Sequence, residues 1–175
     1  MERIASQLTS LHMSGMAMCW KTMNETHQVD KLSLSDGLQL LIQSEMDTRK
    51  YNKISRLIKN AGFRQLATIE ELDVHESRGI GKTVIDQLSR GEYLKYGGTI
   101  IITGPTGTGK SFLASALGER ACRQGYKVKY YTIARLLDEV KLARIEGKEL
   151  KFFEKIESLD LLIIDDFGMK KLEGQ

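Results

Sequence analysis

The chain has 175 residues, of which 41% are hydrophobic and 28% charged, and its formal net charge at pH 7 is +3. This composition is typical of a globular protein and excludes a disordered one, while the net charge is too small to indicate nucleic-acid binding by itself. No apolar run reaches the ~18 residues that a membrane span needs. The N-terminus also lacks the basic leader and unbroken apolar core of a signal peptide.

The cysteines and histidines do not form a recognisable site. Cys19 and Cys122 are far apart, and the three histidines do not cluster. Neither a disulfide framework nor a metal-ligand spacing is present. The sequence therefore predicts reduced thiols in a cytoplasmic protein.

The sequence up to about residue 95 predicts helices joined by short polar turns. Apolar side chains recur at i, i+3, i+4 and i+7 in Ile54, Leu57, Ile58 and Ala61, which indicates one stripe of an α-helix. Similar spacing occurs near the N-terminus and in residues 38–46. We expect shorter helices near residues 69–72 and 82–88.

From residue 99 the pattern changes to alternating strands and helices. The predicted elements are strand 99–103, helix 110–124, strand 127–132, helix 133–147 and strand 159–166. The last strand is an apolar run that is too short for a helix, and this is typical of a buried parallel strand. Strand–helix alternation of this kind predicts an α/β fold with a parallel sheet.

A glycine-rich turn between the first strand and helix matches the P-loop pattern G-x-x-x-x-G-K-[ST] at every fixed position. Its residues are Gly104, Pro105, Thr106, Gly107, Thr108, Gly109, Lys110 and Ser111. The glycines let backbone N–H groups point inward at phosphate oxygens, and the helix that follows adds the positive end of its dipole. We assign Lys110 to the β- and γ-phosphates of ATP and the Ser111 hydroxyl to Mg²⁺. The alternative is a turn that binds nothing, which the flanking strand and helix disfavour.

A second segment, Gly81-Lys82-Thr83, resembles the end of this pattern. Glu76 stands where the pattern needs glycine, and no strand is predicted before it. We therefore assign this segment no phosphate role.

The last predicted strand ends in two acids, Asp165 and Asp166. Ligands of open α/β sheets bind at the carboxyl ends of the strands. Asp165 is therefore the predicted Walker B acid that holds Mg²⁺, and Asp166 the predicted general base for the attacking water. The alternative is a solvated acidic turn.

A basic segment runs from Arg49 to Arg64 and contains no acid. On a helical wheel most of its cations oppose the apolar stripe. The residues predicted to contact a DNA backbone are Arg49, Lys53, Arg56 and Lys59. The alternative is an ordinary solvated face.

With these motifs, the chain resembles IstB-type transposition helper ATPases, AAA+ relatives of the DnaC helicase loaders. The resemblance extends from about Leu11 to Leu172. It rests on LHMSGMA, LSLSDGLQLLIQSEMDTRKYNKISRLIKNAGF, ATIEELD with the later Arg78-Gly79, GPTGTGKSFLASALGERACRQGYKVKYY and DLLIIDDFG. The P-loop segment matches the family's nucleotide loop, and Asp165 and Asp166 match its Walker B acids.

The resemblance implies a protein that works beside a transposase, binds DNA and forms homo-oligomers through its ATPase domain. It implies that ATP promotes assembly on target DNA and that hydrolysis releases it. The chain stops at Gln175, before the family's sensor strand and arginine finger. We therefore expect a fragment or a truncated gene product with a gap in the middle of the sheet and little ATP hydrolysis.

Together these patterns predict a helical N-terminal domain over residues 1–95 and an incomplete P-loop parallel-sheet domain over residues 96–175. Two other functions stay open. One is a helicase loader in DNA replication, which shares the ATPase core. The other is a module that binds ATP and DNA without hydrolysis.

Overall fold

The computed structural model of the chain describes residues 2–73 and 80–167. The chain divides into two compact units, Met1–Ser55 and Arg56–Gln175. This division falls inside one long helix. The predicted boundary between functional domains, at residues 95 and 96, is a different one from this division, and it stays a prediction. Within the described ranges, no helix has the length and apolarity that crossing a membrane requires.

The described part of the N-terminal unit is helical, as predicted. Its helices are α1 (Glu2–Ser10), α2 (Ser14–Glu25) and α3 (Leu34–Ala61), and α3 continues into the second unit. The buried Glu45 of α3 accepts N–H bonds on Oε2 from Gly15 (2.8 Å) and Met16 (3.1 Å) at the start of α2. Because the first N–H groups of a helix lack intrahelical partners, this carboxylate caps α2 and fastens it to α3.

The second unit contains a 3₁₀ turn (Ile69–Glu71), α4 (Lys82–Ser89), α5 (Glu92–Lys95), α6 (Lys110–Arg123), β1 (Val128–Thr132), α7 (Ile133–Ile145), α8 (Glu149–Glu157) and β2 (Leu161–Asp165). The predicted helices after the P-loop and after β1 are confirmed, as are two of the three predicted strands. Helices α5 and α8 have no counterpart among the predicted elements.

The two strands form a parallel pair in which Val128 lies opposite Leu161 and Thr132 lies opposite Asp165. Parallel strands need a crossover connection, and here α7 and α8 provide it. Because both strands run in the same direction, their carboxyl ends lie at the same edge of the sheet. Asp165 ends β2 at that edge, where ligands of α/β sheets bind.

Residues 99–103 are not a strand, contrary to the sequence-based prediction. A strand is held by ladder hydrogen bonds to a neighbour. In the part of the chain that the structure describes, β2 pairs with β1 alone, so no strand lies beside residues 99–103 to supply such bonds. Ile101 is consequently 82% exposed. The fold class is still the one predicted, an α/β unit with a small parallel sheet.

The apolar stripe at the end of α3 is confirmed. Ala61 is completely buried and belongs to the same core cluster as Cys122 and Val128, while Leu57 and Ile58 pack against that cluster. The end of α3 is thereby joined to α6 and β1. This packing positions the loop that follows α3 next to the sheet.

Helix α6 lies very close to β2 at Gly118. A Cβ atom at this position would stand 2.6 Å from the Phe63 ring and 2.7 Å from Cδ1 of Ile163. Such distances are inside van der Waals contact, so the close approach depends on glycine. It holds α6 against β2 and brings the segment at the start of α6 toward the strand end at Asp165.

Some sequence features lie outside the described residues. These are Glu76, Arg78 and Gly79, together with the end of the family resemblance near Leu172.

Candidate nucleotide-binding site

The P-loop ends where the structure begins α6, at Lys110. Gly109 is the N-cap of that helix and has a left-handed backbone with φ 87°. The helix is anchored by a buried face that includes Leu113, Ala116 and Leu117. Its N–H groups and dipole therefore point from a rigid support toward the loop.

Two glycines of the loop, Gly107 and Gly109, have φ values of 83° and 87°. Side chains rarely adopt such values. A Cβ atom at either position would meet no described atom within 4 Å outside its immediate chain neighbours. These glycines are therefore required by backbone conformation and not by crowding, and the space beside them is open to a ligand. This is what a phosphate cradle needs.

The charged end of Lys110 is folded back onto its own loop. Its Nζ donates to the carbonyl oxygen of Pro105 at 2.6 Å. The Thr108 hydroxyl donates to the same oxygen at 2.9 Å. The cation predicted to meet the β- and γ-phosphates is therefore inside the loop, bound to an uncharged acceptor that an anion can replace.

The Asp165 carboxylate is held by several donors at the end of β2. Oδ2 accepts a hydrogen bond from the Tyr130 hydroxyl, and Oδ1 accepts one from the backbone N–H of Asp166 at 2.9 Å. Burial raises the pKa of Asp165, but the hydrogen bonds from Tyr130 and Ser111 outweigh it, so the pKa lies below its ordinary value. Asp165 is consequently anionic at neutral pH. The P-loop hydroxyl of Ser111 is thus one of the groups that act on the strand-end acid, and their joint role at Mg²⁺ stays a prediction.

Asp166 has a left-handed backbone with φ 56°. Aspartate tolerates this conformation better than most residues. Its Oδ2 lies 3.7 Å from Nη1 of Arg64, and its side chain is 41% exposed. The predicted base thus stands beside Asp165, next to solvent and a guanidinium.

Sequence reasoning missed two of these neighbours, Tyr130 and Arg64. Arg64 is one of the cations of the basic segment, but it follows the end of α3 and pairs with Asp166 across the fold. No short-range pattern links either residue to the acids. Only the strand register and the core packing bring them together.

A cavity of about 510 Å³ opens beside the P-loop. Its apolar wall includes Leu72, Ile80, Ile85, Ile102 and Leu113, and its other side includes Gly104 and Lys110. Ligand pockets of proteins commonly have this size and this mixture of apolar wall and few polar groups. The sequence did not indicate it, because its wall comes from four separate segments.

The residues at the strand end fit Mg²⁺. The ion prefers oxygen ligands and commonly takes only one or two protein carboxylates, with phosphates and water as its other ligands. Ser111 and Asp165 offer a hydroxyl and a carboxylate, and the hydroxyl helps to lower the pKa of the carboxylate. Among the described residues, no group of three or more histidine, cysteine or acidic side chains forms a complete metal site.

The residues predicted to contact DNA belong to α3. Arg49 bonds to Glu45 through Nε at 2.7 Å, with its side chain 64% exposed. Lys53, Arg56 and Lys59 are exposed. The structure thus leaves these cations at the surface, and their role in DNA binding stays a prediction.

Comparison with known families agrees with this geometry. A family model described as IstB-like ATP binding protein matches residues 6–175. The chain belongs to this family. The predicted resemblance is therefore confirmed for nearly the whole sequence.

Several relatives in this IstB-like family come from insertion sequences. The chain is 34% identical to a protein of insertion sequence IS1162 from Pseudomonas fluorescens, described as ATP-binding, over 96% of its own length and 73% of the relative. It is 31% identical to an insertion-sequence protein of Sinorhizobium fredii, over 97% of its own length and 69% of the relative. It is 30% identical to a protein of insertion sequence IS5376 from Geobacillus stearothermophilus, over 98% of its own length and 68% of the relative. Both of these are also described as ATP-binding.

Proposed function

We propose that this IstB-like chain binds ATP together with Mg²⁺ and acts as a helper of DNA transposition. The observation that carries the proposal is the glycine turn at the start of α6, in which Gly107 and Gly109 have left-handed backbones and open space beside them. The Ser111 hydroxyl, which helps to lower the pKa of the strand-end carboxylate of Asp165, supports it. This combination of features is not expected of a turn that binds no ligand.

Each part of the site has a role in this proposal. The backbone N–H groups of residues 104–111 bind the phosphates, and Lys110 leaves Pro105 to neutralise them. Ser111 and Asp165 hold Mg²⁺, which when bound neutralises charge on the phosphate oxygens. Asp166 is the proposed base for the attacking water, because it lies next to Asp165 and is partly exposed.

The cavity beside the loop is the proposed place for the nucleobase. Its apolar wall of Leu72, Ile80, Ile85, Ile102 and Leu113 suits a flat aromatic ring. The wall adjoins Gly104 and Lys110, so a nucleotide can place its phosphates in the loop and its base against the wall. Adenine contacts are thereby assigned to segments on both sides of the P-loop.

The role in transposition is supported by the relatives, which are ATP-binding proteins of insertion sequences. Under this proposal the partners are a transposase, DNA and further copies of the chain. The exposed cations Lys53, Arg56 and Lys59 supply a surface for the DNA backbone. Arg49 contributes to it from the same helix through its exposed guanidinium.

Equilibrium binding of a fluorescent ATP analogue tests nucleotide binding directly. We expect saturable binding that unlabelled ATP displaces and that EDTA weakens, because the ion bridges protein and phosphates. Binding of the chain to DNA, with and without ATP, tests the helper role, and so does binding of the chain to a transposase. A folded protein that binds no nucleotide would refute the site. ATP binding without any effect on DNA or transposase would refute the helper role alone.

A further inference from the structure

Two adjacent tyrosines on β1 make similar bonds on opposite faces of the sheet. Tyr130 and Tyr131 are 3% and 1% exposed. The Tyr130 hydroxyl donates to Asp165, and the Tyr131 hydroxyl donates to Glu139 on α7 at 2.7 Å. Successive side chains of a strand point to opposite faces, so the two tyrosines share burial and chemistry but face different environments.

The strand register brings Tyr130 to the Walker B acid. Thr132 lies opposite Asp165, and Tyr130 lies two residues earlier on the same face as Thr132. Only a long side chain can span this diagonal, and tyrosine does so with a donor at its tip. The Phe63 ring packs edge-on against Tyr130, with 6.2 Å between ring centroids. The position of the hydroxyl is therefore fixed by packing.

Two bonds on different oxygens orient the Asp165 carboxylate. Oδ2 is bound by Tyr130 and Oδ1 by the Asp166 N–H. A carboxylate has about four lone-pair sites, so a site is left for a further partner even when the Ser111 hydroxyl also donates to it. Asp165 is thus held in one orientation and still has the capacity to bind an ion or its water.

We propose that Tyr130 is a positioning residue that fixes the Asp165 carboxylate for the Mg²⁺ of a bound nucleotide. This inference rests on the proposed nucleotide site. Partners that orient a metal ligand from behind commonly contribute 10–100-fold to metal affinity. The alternative is that Tyr130 only satisfies its own buried hydroxyl, in which case its loss costs stability and leaves the response to Mg²⁺ unchanged.

The test compares Tyr130→Phe with its neighbour Tyr131→Phe as the matched control. Both variants remove one buried hydroxyl from a donor–carboxylate pair and keep the aromatic ring. The readout is the Mg²⁺ concentration at the midpoint of fluorescent-ATP binding, with affinity in EDTA measured beside it. We expect Tyr130→Phe to raise the midpoint roughly 10–100-fold and to leave affinity in EDTA unchanged. Tyr131→Phe should keep the wild-type midpoint.

Equal midpoints for folded Tyr130→Phe and Tyr131→Phe would overturn the inference, because a purely structural hydroxyl predicts that result. Absence of nucleotide binding by the wild-type protein would instead refute the proposed site, before any variant is compared. Circular dichroism establishes that each variant is folded.

If Tyr130→Phe does not fold, fluorotyrosine labelling of the otherwise unaltered protein replaces it. The Tyr130 resonance in ¹⁹F spectra is assigned by elimination, using Tyr→Phe variants at the other tyrosines. Addition of Mg²⁺ to the ATP complex should shift the resonance of Tyr130 and leave that of Tyr131 in place. A Tyr130 resonance that does not respond would overturn the inference.

Discussion

The ammonium of Lys110 donates to the carbonyl oxygen of Pro105 at 2.6 Å, inside the same glycine-rich loop. The loop therefore supplies a neutral acceptor for the cation that a phosphate would otherwise bind. Charge-assisted bonds to an anion are roughly twice as strong as those to a neutral acceptor. A triphosphate can replace Pro105 as the partner of Lys110 without leaving a buried group unpaired.

Replacing this lysine should weaken nucleotide binding strongly. Hydrogen bonds to charged groups contribute about 1.5–3 kcal/mol, so Lys110→Ala should lower ATP affinity by roughly ten- to a hundredfold or more. Titration with a fluorescent ATP analogue measures the change. The matched control is Lys82→Ala, since Lys82 also follows a glycine at a helix start, but that glycine has φ −75°. Equal effects of the two substitutions would remove Lys110 from the site.

The N-terminal unit should depend on the Glu45 carboxylate. Glu45→Ala leaves the Gly15 and Met16 N–H groups without their acceptor, and each buried unsatisfied donor costs about 1–3 kcal/mol. Arg49→Ala removes only a largely exposed partner and should cost about 0.2–1 kcal/mol. Denaturation followed by the fluorescence of Trp20, the only tryptophan, reports this unit. Equal losses of unfolding free energy in the two variants would show that the Glu45 cap does not stabilise this unit.

The same carboxylate predicts a pH dependence for the unfolding of this unit. The hydrogen bond from Arg49, opposed by burial and aided by the Met16 and Gly15 N–H groups, lowers the pKa of Glu45 below its ordinary 4.5. A lowered pKa means that the stabilisation is present above about pH 4.5 and is lost as the pH falls through the folded-state pKa. The denaturation midpoint, followed by Trp20 fluorescence, should fall less with decreasing pH in Glu45→Gln than in the wild type. An equally steep fall in both proteins would contradict the assignment.

The two cysteines should react very differently with a thiol reagent. Cys122 is completely buried, and burial together with the Glu119 charge raises its pKa from 9.0 to about 12. Because the thiolate is the reactive form, it should be roughly a thousandfold less available at pH 8 than an ordinary thiol. We expect rapid labelling of Cys19, which is partly exposed, and of both residues after denaturation. Fast labelling of Cys122 in Cys19→Ser would show that the packing around α6 is looser.

The basic face of α3 should contribute to the salt dependence of DNA binding. Each lost phosphate contact reduces the slope of log affinity against log salt by roughly 0.9. Arg56→Glu with Lys59→Glu should therefore weaken DNA binding and flatten that slope by roughly two. Lys141→Glu with Lys151→Glu changes the net charge equally on α7 and α8 and serves as the control. If both pairs flatten the slope equally, the effect belongs to net charge and not to α3.

Local patterns were enough to find the P-loop, Asp165 and most of the helices. The P-loop pattern is confined to eight consecutive residues, and its glycines have the backbone values it requires. The stripe of Leu57, Ile58 and Ala61 likewise appears within two helical turns. Such features can be read from sequence because their causes are short-range: backbone freedom, helical period and side-chain polarity.

Other features depend on which segments become neighbours. Residues 99–103 have strand composition, yet they have no strand beside them in the described part of the chain. One continuous α3 covers both the helical spacing of residues 38–46 and the later stripe that ends at Ala61, because no residue between them breaks the helix. Tyr130, Arg64 and the cavity wall join the site through register and packing.

The chemistry of the nucleotide site could therefore be predicted from the sequence, since the properties of a glycine turn and a strand-end acid are local. The partners of that acid could not be predicted, because a hydrogen bond from Tyr130 to Asp165 exists only when β1 and β2 pair in one register. The local sequence determines the conformation and chemistry of each segment. Long-range packing determines which segments contact each other.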